Sequence, residues 1–133
     1  MVMVNVESFI KKYNGRHLAD DGCRVSKEYH SFQVAFFNAM RKIANGMGAE
    51  LIDPSYGHYD MSGFFKRGDK YVYFSYDTSL CGGRNIPVLK GNYNGCHAPM
   101  LIRTAKDNKD YHGGINNFCV FDRCEILIDR LLN

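Results

Sequence analysis

Cysteine and histidine are the residue types in this chain that bind transition metals most readily, and the chain has five of each. Those in its second half are Cys81, Cys96, His97, His112, Cys119 and Cys124. Structural zinc takes four nitrogen or sulfur ligands in a tetrahedron, and it orders a loop that is too polar to pack. We therefore predict a closed, structural zinc site formed by Cys81, Cys96 and Cys119, with His97 or His112 as the fourth ligand. The spacing lacks the Cys-x-x-Cys pair of a zinc knuckle, so scattered buried thiols stay open as the alternative.

His58 and Asp60 stand two residues apart at the start of a predicted strand. Side chains two apart on a strand point to the same face, where a histidine–carboxylate pair could form. With Arg103, Lys106 and Asp110 at the end of a later strand, this pair would suit an enzyme that acts on a nucleotide or nucleic acid. No nucleophile or second acid can be placed beside the pair from the sequence, which favours a structural role at the start of a hairpin.

Three other kinds of reactive site are disfavoured by the local sequence. A restriction-endonuclease-like core needs an acid-x-Lys motif on the strand after Asp60, but the matching stretch reads Ser75-Tyr76-Asp77. A nucleophilic cysteine at Cys23 needs a matched histidine, which the sequence does not identify. Gly82-Gly83 and Gly113-Gly114 are not embedded in a phosphate-binding pattern, so tight turns explain them better.

Hydrophobic periodicity predicts the elements that position these residues. Apolar residues at helical spacing predict helices over 6–13, about 27–47 and the C-terminal residues. In the long helix an apolar stripe is expected to pack in the core, at Phe32, Phe36, Met40, Ile43 and Met47. Aromatic and β-branched runs predict strands over 50–52, 58–66, 70–77, 100–104 and 119–121. The strands over 58–66 and 70–77 form a hairpin, and residues 78–99 form a long irregular loop that is functional or is held by something other than packing.

These elements predict a single α+β domain over 1–133, with two or three helices packed on an antiparallel-leaning sheet that has the hairpin at its centre. A net charge of only +3, without a basic stripe, does not indicate direct nucleic-acid binding. Neither a signal peptide nor an apolar run near the roughly 18 residues of a membrane span is present, so we expect a cytoplasmic protein with reduced thiols. Nine tyrosines suit strands or a recognition surface.

Two stretches carry a resemblance to a known group of proteins: AELIDPSYGHYDMSGFFKRGDKYVYFSYD, from Ala49, and MLIRTAKDNKDYHGGINNF, from Met100. Through the hairpin, the KYVYFS strand and the segment after it, the chain resembles small proteins of unassigned function carried by phages and conjugative elements of Gram-positive bacteria. The resemblance covers roughly residues 30–120. The chain departs from that pattern between Thr78 and Pro99, where it has the cysteine-bearing loop.

Small proteins of such elements are often similar to anti-defence inhibitors, including the type II anti-CRISPR proteins that bind Cas9. The resemblance therefore implies a stoichiometric inhibitor that binds a host effector nuclease and needs no active site. The contact surface would be the loop over 78–99 and the polar loops near it, with Arg84, Lys90 and Tyr93 as contacts. A nucleotide- or nucleic-acid-acting enzyme and a DNA-associated accessory protein of a mobile element are the alternatives.

Overall fold

The computed structural model describes residues 5–18, 27–57, 60–78, 86–91 and 98–133. Within these ranges the chain forms three helices and five strands. In chain order they are α1 (Glu7–Tyr13), α2 (Lys27–Gly46), β1 (Glu50–Tyr56), β2 (Asp60–Arg67), β3 (Lys70–Asp77), β4 (Met100–Ala105), β5 (Asn117–Cys119) and α3 (Phe121–Leu132).

The five strands form one antiparallel sheet in which each strand pairs with its neighbours in the sequence, in the order β1-β2-β3-β4-β5. The β2–β3 hairpin lies inside this sheet, flanked by β1 and β4, which confirms the predicted α+β fold with a central hairpin. Arg67 pairs with Lys70 across a two-residue turn. Gly68 opens that turn at a φ of +64°, a conformation that favours glycine.

The helices cover one face of the sheet with aromatic side chains. The predicted stripe of α2 is buried, as are alternate residues of β3, at Val72, Phe74 and Tyr76. From α1, the ring of Phe9 lies 5.9 Å from that of Phe32 on α2 and 5.1 Å from that of Phe121 on α3. Because burial of each such ring contributes roughly 1.5–3 kcal/mol, this cluster holds the three helices to one another and to the sheet.

Two predicted strands differ from the observed ones by more than one residue at an end that the structure describes. β1 was expected to end at Asp53-Pro54, but it continues to Tyr56 through a register shift between Ile52 and Ser55. Asp53 takes a φ of +52° there, and this bulge accommodates a proline on an edge strand, where no hydrogen-bonded N–H is needed. The last strand covers Asn117–Cys119 instead of 119–121, because Phe121 starts α3.

Residues 86–91, in the middle of the predicted irregular loop, are held by polar contacts from three elements; we call them the pinned segment. The Tyr76 hydroxyl donates to the Val88 carbonyl at 2.8 Å and accepts from the Val88 N–H at 3.0 Å. Asn14, after α1, accepts the N–H of Leu89 at 2.7 Å, and the Leu89 carbonyl accepts the N–H of Asp122 of α3 at 2.8 Å. The Leu89 side chain is fully buried, so this part of the loop is built into the core.

Replacing Tyr76 with phenylalanine removes both hydrogen bonds to Val88 while keeping the ring in the core. We expect the change to lower the free energy of unfolding by about 1–3 kcal/mol, because it removes two hydrogen bonds from part-buried backbone groups. Urea unfolding measures the difference. Tyr13→Phe is the matched control, since the buried Tyr13 ring has no hydroxyl hydrogen bond among the described residues. Equal losses in the two variants would contradict the role of the Tyr76 hydroxyl.

Candidate interaction surface

The face of the sheet opposite the helices, which we call the outer face, is partly covered by residues 106–116. We call this segment the strap. The fully buried Phe64 packs on this face against Tyr73, with ring centres 5.3 Å apart. Tyr111 of the strap completes the cluster, at 5.4 Å from Phe64 and 5.7 Å from Tyr73. The strap therefore covers apolar side chains on a small area of the outer face, as the helices cover those on the other face.

The strap is organised by the carboxylate of Asp110. This group accepts the backbone N–H of Lys106 at 3.0 Å, of His112 at 3.2 Å and of Gly113 at 2.7 Å. The first two of these bonds are the main cause that lowers the pKa of Asp110. Asn108 adds a hydrogen bond of 2.7 Å from its side-chain amide to the carboxylate of Asp53, which joins the strap to the bulge in β1.

Arg103 on β4 lies beneath the strap with only 9% of its surface exposed. Its guanidinium carbon is 4.5 Å from the centre of the Tyr73 ring, and one terminal nitrogen donates to the Tyr111 carbonyl. The other terminal nitrogen donates to the Asn116 side chain at 3.4 Å. Among the described residues no carboxylate forms an ion pair with Arg103, and its buried Nε has no hydrogen-bond partner. The ring and the strap's polar groups are what stabilise this charge.

Three large apolar side chains are exposed in and beside the strap: Tyr111 at 50%, Ile115 at 83% and Phe118 at 47%. We call them the strap patch. Phe118 of β5 pairs with Leu101, which is two residues from Arg103 on β4, so Phe118 lies on the outer face as well. Half of the six exposed large hydrophobic residues in the described ranges thus fall between positions 111 and 118. Exposed apolar groups on one side of a sheet are typical of contact sites.

A cavity of about 450 Å³ lies beside β5 and reaches the end of the pinned segment. Its described lining residues include Gly91, Ala98, Phe118, Cys119 and Arg123. The cavity therefore connects the strap patch with the segment that carries Lys90. These parts of the chain are far apart in the sequence.

Of the predicted partner contacts, Lys90 is exposed on the pinned segment, and its backbone N–H donates to Asn14 at 3.2 Å. Arg84 and Tyr93 lie outside the described residues.

The strap patch was not predicted from the sequence. The apolar residues between Tyr111 and Phe118 are visible there, but their polar neighbours are typical of an ordinary loop. The cross-strand position of Phe118 depends on the β4–β5 register, which no local signal specifies.

Three of the predicted zinc ligands, Cys81, Cys96 and His97, lie outside the described residues. Cys119 is half-buried, and burial, followed by the nearby charge of Asp122, raises the pKa of its thiol to about 12. Burial also raises the pKa of the fully buried Cys124. Within the ranges that the structure covers, no three His, Cys, Asp or Glu side chains come together in a way that would hold a metal. The zinc site stays a prediction.

The residues proposed for an enzyme are not brought together. Asp60 pairs with Asp77 at one end of the hairpin, whereas Arg103 pairs with Tyr73, four residues away along β3 or roughly 13 Å at the usual rise of a strand. Lys106 and Asp110 lie farther still, in the strap, and His58 is outside the described residues.

The cross-strand pairing of Asp60 with Asp77 could have been found from the sequence. The two-residue turn fixes the register of the hairpin, so position 67 faces 70 and position 60 faces 77. This pairing supplies the second acid that sequence reasoning did not place beside Asp60.

Comparison with protein-family models, with curated proteins and with solved structures gives no match for this chain. Among the helices of the described ranges, none combines the length and the apolar character needed to cross a membrane. The resemblance to proteins of mobile elements therefore stays a prediction.

Proposed function

We propose that the chain is an anti-defence inhibitor that binds a host effector nuclease of the Cas9 type and blocks its handling of nucleic acid. The observation that carries the proposal is the strap patch, an exposed group of apolar side chains on a well-ordered segment. The choice of partner rests on the resemblance to proteins of mobile elements. An inhibitor of this kind needs a shaped contact surface and no catalytic group.

The strap patch has the properties of an interface centre. Tyrosine is enriched among the residues that dominate binding energy, and Tyr111 exposes half of its surface while its ring packs on Phe64 and Tyr73. Because Asp110 already orders the strap through three backbone hydrogen bonds, a partner has little conformational entropy to remove. Pre-ordering of this kind favours tight binding by a small surface.

The predicted contacts of the 78–99 loop extend this surface. Lys90 is presented by the pinned segment, and the cavity beside β5 joins Gly91 to Phe118. Arg84 and Tyr93 add further contacts, and the inhibitor occludes or distorts a nucleic-acid-handling domain of the nuclease. Basic side chains at the rim would tune the rate of association more than the final affinity.

Introducing aspartate at Ile115 and Phe118 together tests the strap patch. Both side chains are exposed, so we expect the fold to be retained and the affinity for guide-loaded Cas9 to fall at least about thirtyfold, since central interface residues contribute about 2 kcal/mol or more. Co-elution and DNA cleavage assays measure the effect. The control variant, with aspartate at the exposed Val34 and Ile126 on the helices, is expected to bind as the natural chain does. The proposal is wrong if the natural chain does not bind Cas9, or if the patch variant inhibits cleavage equally well.

We also propose that the loop over 78–99 holds a structural zinc ion through Cys81, Cys96 and Cys119, with His97 or His112. Elemental analysis of protein purified without chelator should then find about one zinc per chain. Cys119→Ser should lower that value strongly, because a metal-bound thiolate is lost, while Cys124→Ala, which removes the fully buried thiol, should leave it unchanged. A zinc content below about a tenth of an equivalent in the natural chain would exclude the site.

A second candidate function, an enzyme that acts on a nucleotide or nucleic acid, is favoured by the cross-strand pairing of Asp60 with Asp77, which places two acidic residues side by side at one end of the hairpin. Opposed like charges in a ladder destabilise a sheet, so a catalytic use would explain why both are present. Asp60→Asn should raise the free energy of unfolding by about 0.2–1 kcal/mol, since it removes the repulsion.

The two functions predict different effects of the same variant on activity. Inhibition of Cas9 should survive Asp60→Asn and His58→Ala, whereas turnover of a nucleotide or nucleic-acid substrate would be lost in both. Activity in cells that disappears while Cas9 binding persists would favour the enzyme. A steep fall of DNA affinity with salt would instead indicate a DNA-associated accessory protein.

A further inference from the structure

The groove between α1 and α2 is a second surface with the shape of a binding site. It is an open cavity of about 270 Å³. Its floor includes the buried side chains of Phe9, Tyr13 and Ala39, and its two walls carry the exposed Lys12 on α1 and Lys42 on α2. No acidic residue lines it within the described part of the chain.

The size of the groove favours a protein side chain over a small molecule. Sites for small molecules usually measure roughly 300–1,000 Å³ and enclose most of the ligand, whereas this groove is smaller and open. Ala35 and Ala39 of α2 lack bulk and leave a trough between the two helices. An amphipathic helix binds in a trough of this kind by inserting one or two large apolar side chains.

The charge of the two helices that form the groove indicates the kind of helix that would bind. α1 and α2 together contain five basic and two acidic residues, a net charge of +3, which equals the net charge of the whole chain. Of the two acidic residues, Glu28 lies 3.4 Å from Arg16 in an ion pair. Neither Lys12 nor Lys42 has a carboxylate partner among the described residues, and the Lys12 ammonium lies over the Tyr13 ring at 5.3 Å.

We propose that this groove binds an acidic, amphipathic helix of a partner protein. An apolar side chain of that helix fills the floor over Phe9 and Tyr13, and carboxylates on either side of it pair with Lys12 and Lys42. This inference is independent of the proposed function, because the groove shares no residue with the strap patch.

The test uses a fluorescein-labelled peptide of about 18 residues, long enough to form a helix on its own, with leucine on one face and glutamate on the others. Fluorescence anisotropy should show saturable binding to the full chain. Lys12→Glu with Lys42→Glu should weaken it at least about tenfold, and higher salt should weaken it as well. A peptide with lysine at every glutamate position should not bind, and one with serine at every leucine position should bind more weakly.

The matched control is Lys11→Glu with Arg41→Glu. These residues are exposed on the same two helices and give the same change in net charge, but they do not line the groove. We expect this variant to lose less than about threefold in affinity, because only the general attraction between the charges is reduced. Circular dichroism establishes that both variants are folded.

Four results would overturn the proposal. One is no binding of the acidic peptide to the natural chain at about millimolar concentration. The second is an equal loss of binding in the two double variants, which would mean that binding depends on the net charge of the protein and not on the groove. The third is equal binding of the serine-substituted peptide, which would exclude use of the apolar floor. The last is self-association of the natural chain that Lys12→Glu with Lys42→Glu abolishes in sedimentation, which would make a second copy the occupant.

Discussion

The buried hydroxyl group of Tyr76 connects the middle of the sheet to the pinned segment, which has little secondary structure of its own. The Tyr76 ring belongs to the core between β3 and α2, where it lies 5.4 Å from Phe36, and its hydroxyl makes two hydrogen bonds to Val88. The pinned segment then fixes the ends of α1 and α3 through Asn14 and Asp122. The two helices are therefore joined to the sheet through this segment as well as through the aromatic core.

The sheet imposes a second constraint, because all three helices pack on one of its faces. Five strands with aromatic residues on both faces would leave Phe64 and Tyr73 in water if nothing covered the outer face. The strap covers them with one ring, that of Tyr111, and the sheet positions the strap through the bulge at Asp53. The irregular geometry of β1 is therefore part of what holds the strap, and the strap patch depends on both.

The sequence predicts those features that depend on local periodicity and turn chemistry. The stripe on α2 follows from helical spacing, and the hairpin follows from alternating aromatic residues around Gly68, so both could be recognised. The bulge at Asp53, the position of the strap and the burial of Arg103 depend on contacts between distant segments. Aspartate before proline is an ordinary turn signal, and only pairing with β2 turns it into a bulge. For the candidate site, the loop carrying Lys90 could be predicted, whereas the patch beside it could not.

Arg103 explains how the strap is held in one position over the sheet. Its guanidinium is buried without a carboxylate partner among the described residues, and the cost of removing such a charge from water can exceed what its hydrogen bonds return, so an apolar residue of similar size would stabilise the fold at least as well. Its contacts are directional, however: it stacks on Tyr73 and donates to the Tyr111 carbonyl and to Asn116, at two points along the strap. Together with the Tyr111 ring and the Asn108–Asp53 hydrogen bond, these contacts fix where the strap lies on the outer face, and an apolar substitute would not make them. Tyr111 and Ile115 belong to the strap, so the orientation of the strap patch depends in part on Arg103. The burial of this charge is unfavourable in itself, but the contacts of Arg103 help to maintain the shape of the surface.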